Sequence, residues 1–144
     1  MTLQSFDALP EEALKEILAL TEAKKRLDLQ DQAQNKFMPF AHHVYENFIE
    51  GRHHRVIAEK LEAVARGELK RLIINMPPRH SKSEFASYLM PAWFLGRNPK
   101  LKIIQATHNT ELAVRFGRKV RDLIDDPAYR EIFPETNLKE DNKG

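Results

Sequence analysis

The chain has no cysteine in 144 residues, which excludes a disulfide framework and any zinc site built on thiolates and is compatible with a reducing compartment. Glycine is scarce, and none falls between Gly67 and Gly96. Charge of one sign is also lacking: 23 Lys and Arg stand against 21 Asp and Glu, a formal net charge of +2. Such a balance predicts no strong nonspecific hold on DNA or on a membrane surface. No apolar run approaches the roughly 20 residues needed to span a bilayer. The start, Met1 to Asp7, lacks a basic segment followed by an apolar one, so the expectation is a soluble, unsecreted protein.

What is present is a globular composition, 42% apolar and 31% charged, at the length of one domain or a piece of one. Residues 10–27 place Leu14, Ile17, Leu18 and Thr21 on one face, with acids in the first turn and Lys24, Lys25 and Arg26 in the last, which predicts an amphipathic helix. After a polar stretch, Phe40, Val44 and Phe48 recur at helical spacing until Gly51. Val56, Ile57, Leu61, Val64 and Ala65 then mark a third helix, with Gly67 as its C′ residue.

The pattern then changes. Arg71 to Met76 and Leu101 to Ala106 are short apolar runs that read as buried strands. Between them residues 83–95 are helical by content, with Pro91 kinking the helix or starting a second one and Gly96 ending it. Leu112, Phe116, Val120, Leu123 and Ile124 make the apolar stripe of a helix over about 110–125, stopped by Pro127. Strands alternating with helices imply an α/β fold with a parallel sheet, whose ligands bind in loops at the carboxyl ends of strands. The loop Pro77 to Ser83 occupies such an end.

That loop carries the chemistry. In the sequence Met76-Pro77-Pro78-Arg79-His80-Ser81-Lys82-Ser83-Glu84, a Lys-Ser pair opens a helix, where free backbone N–H groups and the helix dipole favour an anion. The phosphate-binding loop of nucleotide hydrolases has the pattern G-x-x-x-x-G-K-[ST], and here Met76 and Ser81 stand at the two glycine places. Lys82 would neutralise phosphate charge, Ser83 would help to hold Mg2+, and the Arg79 guanidinium would add a fork suited to phosphate oxygens. The alternative is a plain turn, with Ser81 or Ser83 capping the helix and Arg79, His80 and Lys82 solvated.

The string Ile74-Asn75-Met76-Pro77-Pro78-Arg79-His80-Ser81-Lys82-Ser83-Glu84 resembles the variant Walker A segment of bacteriophage terminase large subunits, which reads Pro-Pro-Arg-His-Gly/Ser-Lys-Ser-Glu. Pro91 to Pro99, Gln105 to His108 with Glu111 to Ala113, and Gly117 to Arg121 ahead of Phe133-Pro134 are also similar to that family, in order, over about residues 40–134. The resemblance implies a helical extension over 1–36, and over 37–134 the first β-α-β-α half of a P-loop ATPase domain of the additional-strand, catalytic-glutamate (ASCE) class. A disordered tail is expected over 135–144. It implies ATP and Mg2+ as cofactors, with Arg79, His80, Ser81, Lys82 and Ser83 at the phosphates and Ser83 at the magnesium ion. Phe40, His43 and His54 are the candidates for the adenine.

By the same resemblance the partners are viral double-stranded DNA, the terminase small subunit, the portal of the procapsid and other motor subunits. The location is the cytoplasm of a bacterial host and, transiently, the portal. Such a motor also needs a strand ending in an Asp for Mg2+ and a Glu that activates water. Leu123-Ile124-Asp125-Asp126 is in phase with the helix stripe and reads as a helix end. The expectation is therefore an amino-terminal piece, without Walker B, catalytic Glu or nuclease, inactive alone and prone to self-associate through uncovered sheet edges. A gene remnant or interaction module that binds a terminase partner or DNA is the other reading.

Two further groups have bland readings. His42-His43, His53-His54, His80 and His108 read as solvated or core histidines, since no metal-ligand spacing recurs. Arg115, Arg118 and Lys119 share a helix face that suits either DNA phosphate or solvent, and solvent is preferred.

Overall fold

The computed structural model of the chain describes residues 10–138. Its regular elements are α1 (Glu11–Asn35), α2 (Phe37–Val44), α3 (Arg52–Ala65), a π-helical stretch (Glu84–Leu89) continuing into α4 (Met90–Arg97), α5 (Thr110–Asp125) and α6 (Pro127–Ile132). No strand exists among the described residues. The expected α/β architecture, a parallel sheet within the β-α-β-α half of a P-loop ATPase domain, is therefore wrong for this structure.

The physical reason lies in the two apolar runs. Residues 71–76 and 101–106 are irregular, and no main-chain hydrogen bond joins one to the other. Leu72, Ile74 and Met76 lean on the core, whereas Ile73 is 94% exposed and Ile104 95% exposed. An inward and outward alternation is what extended chain produces, but a strand also needs a neighbour to receive its N–H and C=O groups. An apolar run in a sequence reports the first property and not the second.

Helices α3 and α5 follow their sequence signals more closely, whereas the expected apolar face of α1, Leu14, Ile17, Leu18 and Thr21, is not buried and α2 ends at Val44, short of Phe48. Gly67, at φ +77°, ends α3 with a paired closure: Glu68 N–H donates to Ala63 O at 3.0 Å and Gly67 N–H to Val64 O at 3.0 Å. Helix α1 runs past Leu27 through the polar stretch to Asn35, and breaks where Lys36 turns extended. The break is held by Glu62 of α3, a buried carboxylate that accepts from Phe37 N–H at 2.8 Å and lies 3.4 Å from Lys36 Nζ. A carboxylate at the first N–H of α2 also favours the helix electrostatically.

The core is an aromatic cluster built on α2. The Phe37 ring meets Phe85 edge-on at 5.3 Å and Trp93 at 5.5 Å, and Phe40 packs on Tyr129 at 6.0 Å and Phe133 at 5.9 Å. The polar tips of this cluster are satisfied. Trp93 Nε1 donates to Ala33 O at 2.8 Å and Tyr129 Oη to Ala92 O at 2.9 Å, while burial raises the Tyr129 phenol well above its ordinary pKa.

Helix α6, over 127–132, has no counterpart in the sequence reading; Asp126 caps it by accepting from Ala128 N–H at 2.8 Å, so Leu123 to Asp126 is indeed the end of α5. Beyond it the chain folds back, with Thr136 buried and Leu138 packed against the core. The rest of the expected disordered tail, 139–144, and the opening Met1 to Asp7 lie outside the described residues.

Two helical glycines give a matched test of this packing. A Cβ on Gly96 would lie 2.5 Å from Phe133 Cδ2, whereas a Cβ on Gly117 meets nothing within 4 Å. Urea unfolding should show Gly96→Ala destabilised by about 1–3 kcal/mol through overpacking. Gly117→Ala should gain about 0.5–1 kcal/mol from helix propensity alone. Equal effects at the two sites would contradict the α4–Phe133 contact.

Candidate functional site

Residues Met76 to Glu84 line a concavity of about 440 Å³. Two non-glycine residues in it hold left-handed backbone, Arg79 at φ 65° and Ser81 at φ 57°. Ser81 is the residue at the second glycine place of the generic phosphate loop, so it adopts there the conformation for which glycine is the usual choice. Alternating left-handed and ordinary residues turn successive N–H groups into one concavity, a geometry suited to anions. The N–H groups of Arg79 and Ser81 donate to no carbonyl of the described residues, while His80 N–H closes a turn over Pro78 and Arg79.

Lys82 and Ser83 open the helix that follows, and Phe85 N–H returns to Ser81 O at 2.9 Å. Arg79 and His80 are exposed, as is Ser83, and Lys82 is half-buried. The structure thus brings Arg79, His80, Ser81, Lys82 and Ser83 into one mouth. The His80 ring is oriented by its own loop: Nδ1 donates to Pro78 O at 2.9 Å, which leaves Nε2 as the acceptor of the neutral ring.

The adenine candidates are dispersed. Phe40 is wholly buried between α2, Tyr129 and Phe133 and has no surface to offer a base. His43 faces α6, with Nε2 3.1 Å from a Glu131 carboxylate oxygen, close enough for an ion pair but not aligned as a hydrogen bond. His54 is buried behind the loop, its ring 3.9 Å from that of His53, which in turn lies 5.7 Å from His80. Beside the loop, and sharing Met76 with it, a groove of about 620 Å³ runs between α3 and residues 72–76. It is lined by Val56, Ile57, Leu72 and Ile74, with Arg52 and Lys60 at its rim.

The histidine cluster is the feature that sequence spacing did not convey. His54 Nδ1 accepts from Gly51 N–H at 2.8 Å while His54 N–H donates to Gly51 O at 3.0 Å, a reciprocal closure of the first turn of α3. The proton of neutral His54 is therefore on Nε2, which is buried without a partner. Burial foremost, and then His53, hold its pKa below the ordinary 6.5, against an opposing pull from Glu50 that exceeds the small further lowering by His80. Glu50 itself is held below the usual carboxylate range by His42 at 2.6 Å and by Arg55.

A second unforeseen element is Lys119 of α5. It meets both carboxylate oxygens of Glu84 at 3.0 Å and sits 4.9 Å over the Tyr88 ring. The helix face read as solvated thus contains the tie that fixes the residue after Ser83. Its sequence signal was the Lys itself, three turns into an amphipathic helix, with nothing to name its partner. Among the described residues no group of three or more His, Asp or Glu is placed to hold a metal ion, and no helix is long and apolar enough to cross a membrane.

No protein-family model, curated protein or solved structure matches the chain.

The cluster and the loop are each open to a stability measurement. The unfolded chain takes up a proton at His54 near its ordinary pKa while the folded chain resists it, so the stability from neutral His54 is whole above that value and is lost as pH falls through the folded pKa. The melting temperature should decline from about pH 7.5 to about pH 5.5, and His54→Asn, which keeps an acceptor near Gly51 but does not titrate, should flatten that decline. An unchanged slope would remove His54 from the account. At Ser81 the expected order of stability is Gly, Ser, Val. Ser81→Gly should gain up to about 1 kcal/mol from relief of left-handed strain, and Ser81→Val should lose about 1–3 kcal/mol. A tolerated valine would contradict the loop conformation.

Proposed function

We propose that the chain is an ATP-binding segment of a phage or prophage terminase large subunit, the motor that packages viral DNA into procapsids. The observation that carries the reading is the loop mouth, where the N–H groups of Arg79 and Ser81, which donate to no carbonyl of the described residues, stand beside Lys82 and Ser83 at the start of a helix. Its spelling from Pro77 to Glu84 supports the terminase variety of nucleotide site over other nucleotide-binding loops.

In this reading the β- and γ-phosphates bind across the loop, with Lys82 supplying charge and Arg79 a second, planar donor set. The residues present suit a phosphate-bound Mg2+ held in part by Ser83, because Mg2+ takes few protein oxygens and completes its shell with phosphate and water. Glu84 is engaged by Lys119 and stays out of that shell. The apolar groove that begins at Met76 is the nearest surface able to take a base. DNA, the small subunit and the portal belong to the assembled motor, and nucleotide turnover by this chain alone is expected to stay at background.

The test is the affinity for MgATP and for inorganic triphosphate, measured by calorimetry. Lys82→Ala should weaken both by about tenfold or more, the loss of a charge-assisted contact. Ser81→Gly should retain binding. Unchanged affinity in Lys82→Ala would sink the assigned role of the loop, and equal affinity for ATP and triphosphate would remove the groove from it.

A further inference from the structure

Helix α1 spans 25 residues, yet Ala33 is the one residue in it that is buried. Its carboxyl end is anchored: Trp93 Nε1 bonds Ala33 O, and Gln34 Nε2 donates to Ile132 O at 2.6 Å. Residues 15–29 are exposed throughout, including Leu20 at 63% and Leu27 at 64%. Residues 11–29 therefore project as a helical arm about 28 Å long at 1.5 Å per residue. Leu20 and Leu27 stand on one side of the arm and Leu18, 61% exposed, on the other; apolar side chains aligned along one side of a projecting helix form a surface suited to a partner.

The sequence of the arm specifies that partner. At about 100° per residue, Ala13, Glu16, Ile17, Leu20, Ala23, Lys24 and Leu27 fall within about 60° of the Leu20 direction and form one stripe. Their spacing is symmetric about Leu20. Laying the stripe antiparallel on itself sets Leu20 against Leu20, Ala13 against Leu27, Ile17 against Ala23 and Glu16 against Lys24. Each large side chain away from the centre then meets a small one, and each charge on the stripe meets its opposite. Neither Glu16 nor Lys24 has an ion-pair partner among the described residues. A parallel pairing would instead place Glu16 by Glu16 and Lys24 by Lys24.

We propose that α1 pairs antiparallel with α1 of a second copy of this chain, across a twofold axis at Leu20. The contact is isologous, so it closes on itself and yields a dimer and not a filament. It uses no residue of the phosphate loop and stands independently of the nucleotide reading.

Sedimentation equilibrium of the full chain over a concentration series tests it. The wild type should dimerise; Glu16→Lys or Lys24→Glu alone sets like charges opposite one another twice per dimer and should raise the dimer dissociation constant about tenfold. The double variant Glu16→Lys/Lys24→Glu should return to the wild-type value. Both of these side chains are solvent-exposed, so circular dichroism should be unchanged. Because the chain lacks cysteine, mixing Ala13→Cys and Leu27→Cys proteins under oxidation should give the mixed disulfide dimer. A monomeric wild type, a dimer indifferent to either charge reversal, a double variant that stays weak, or a preference for the Ala13→Cys homodimer would each overturn the proposal.

Discussion

The complete burial of Phe85, three residues after Lys82, is the constraint from which the rest of the site takes its position. Its ring meets Phe37 of α2 edge-on, stacks at 4.9 Å on His54 of α3 and lies 5.6 Å from Phe48. Removing an aromatic ring from water contributes on the order of 1.5–3 kcal/mol, which is more than any single polar contact of the loop supplies. The helix that begins at Lys82 is therefore anchored through its apolar side. Arg79 and His80, just ahead of it, are left exposed as a consequence of the anchor.

The same helix explains how the irregular segment 101–106 is attached. Pro91 has no N–H to offer the carbonyl four residues back, which is that of Ser87. The helix widens just before it, with Met90 N–H reaching Phe85 O, and Gln105 Nε2 donates to Ser87 O at 3.3 Å. One proline thus produces a π-helical stretch and opens a carbonyl for a side chain from a distant segment. No strand pairs with residues 101–106 among the described residues. A side-chain amide helps to hold them instead, which leaves Ile104 in water.

What could be read from the sequence divides along a physical line. Signals carried within one helix were legible: the stripe of α5, the Gly67 stop of α3 and the Lys-Ser helix opening all depend on neighbours three or four residues away. Signals that need a partner from elsewhere were not. Residues 71–76 look the same to periodicity whether or not a neighbouring strand exists. Polarity alone gives no reason to extend α1 through the stretch that begins at Asp28, because what holds its carboxyl end is Trp93 and the Ile132 carbonyl, both remote in sequence. The Lys119–Glu84 pair and the His53–His54–His80 cluster are likewise contacts between elements. Phe40 shows the converse: an aromatic residue at helical spacing is the ordinary mark of a core, and its ring is wholly buried although the resemblance implies it as an adenine contact.

The loop's strain bears on what it is for. Left-handed backbone at Arg79 and at Ser81 is unfavourable for residues with a Cβ, and such conformations persist where the surroundings over-determine them. Three restraints converge here: Phe85 fixes the following helix, Lys119 clamps Glu84, and the His54 closure of α3 places His53 against His80. Pro77 and Pro78 stiffen the entry as well. A loop restrained from both sides has already lost the conformational freedom that an anion would otherwise have to remove on binding. A plain turn has no use for that arrangement, since an Asn or Gly would make the same turn without strain. Strain held in an exposed, basic and preorganised concavity therefore favours a binding role for the loop over a merely connective one.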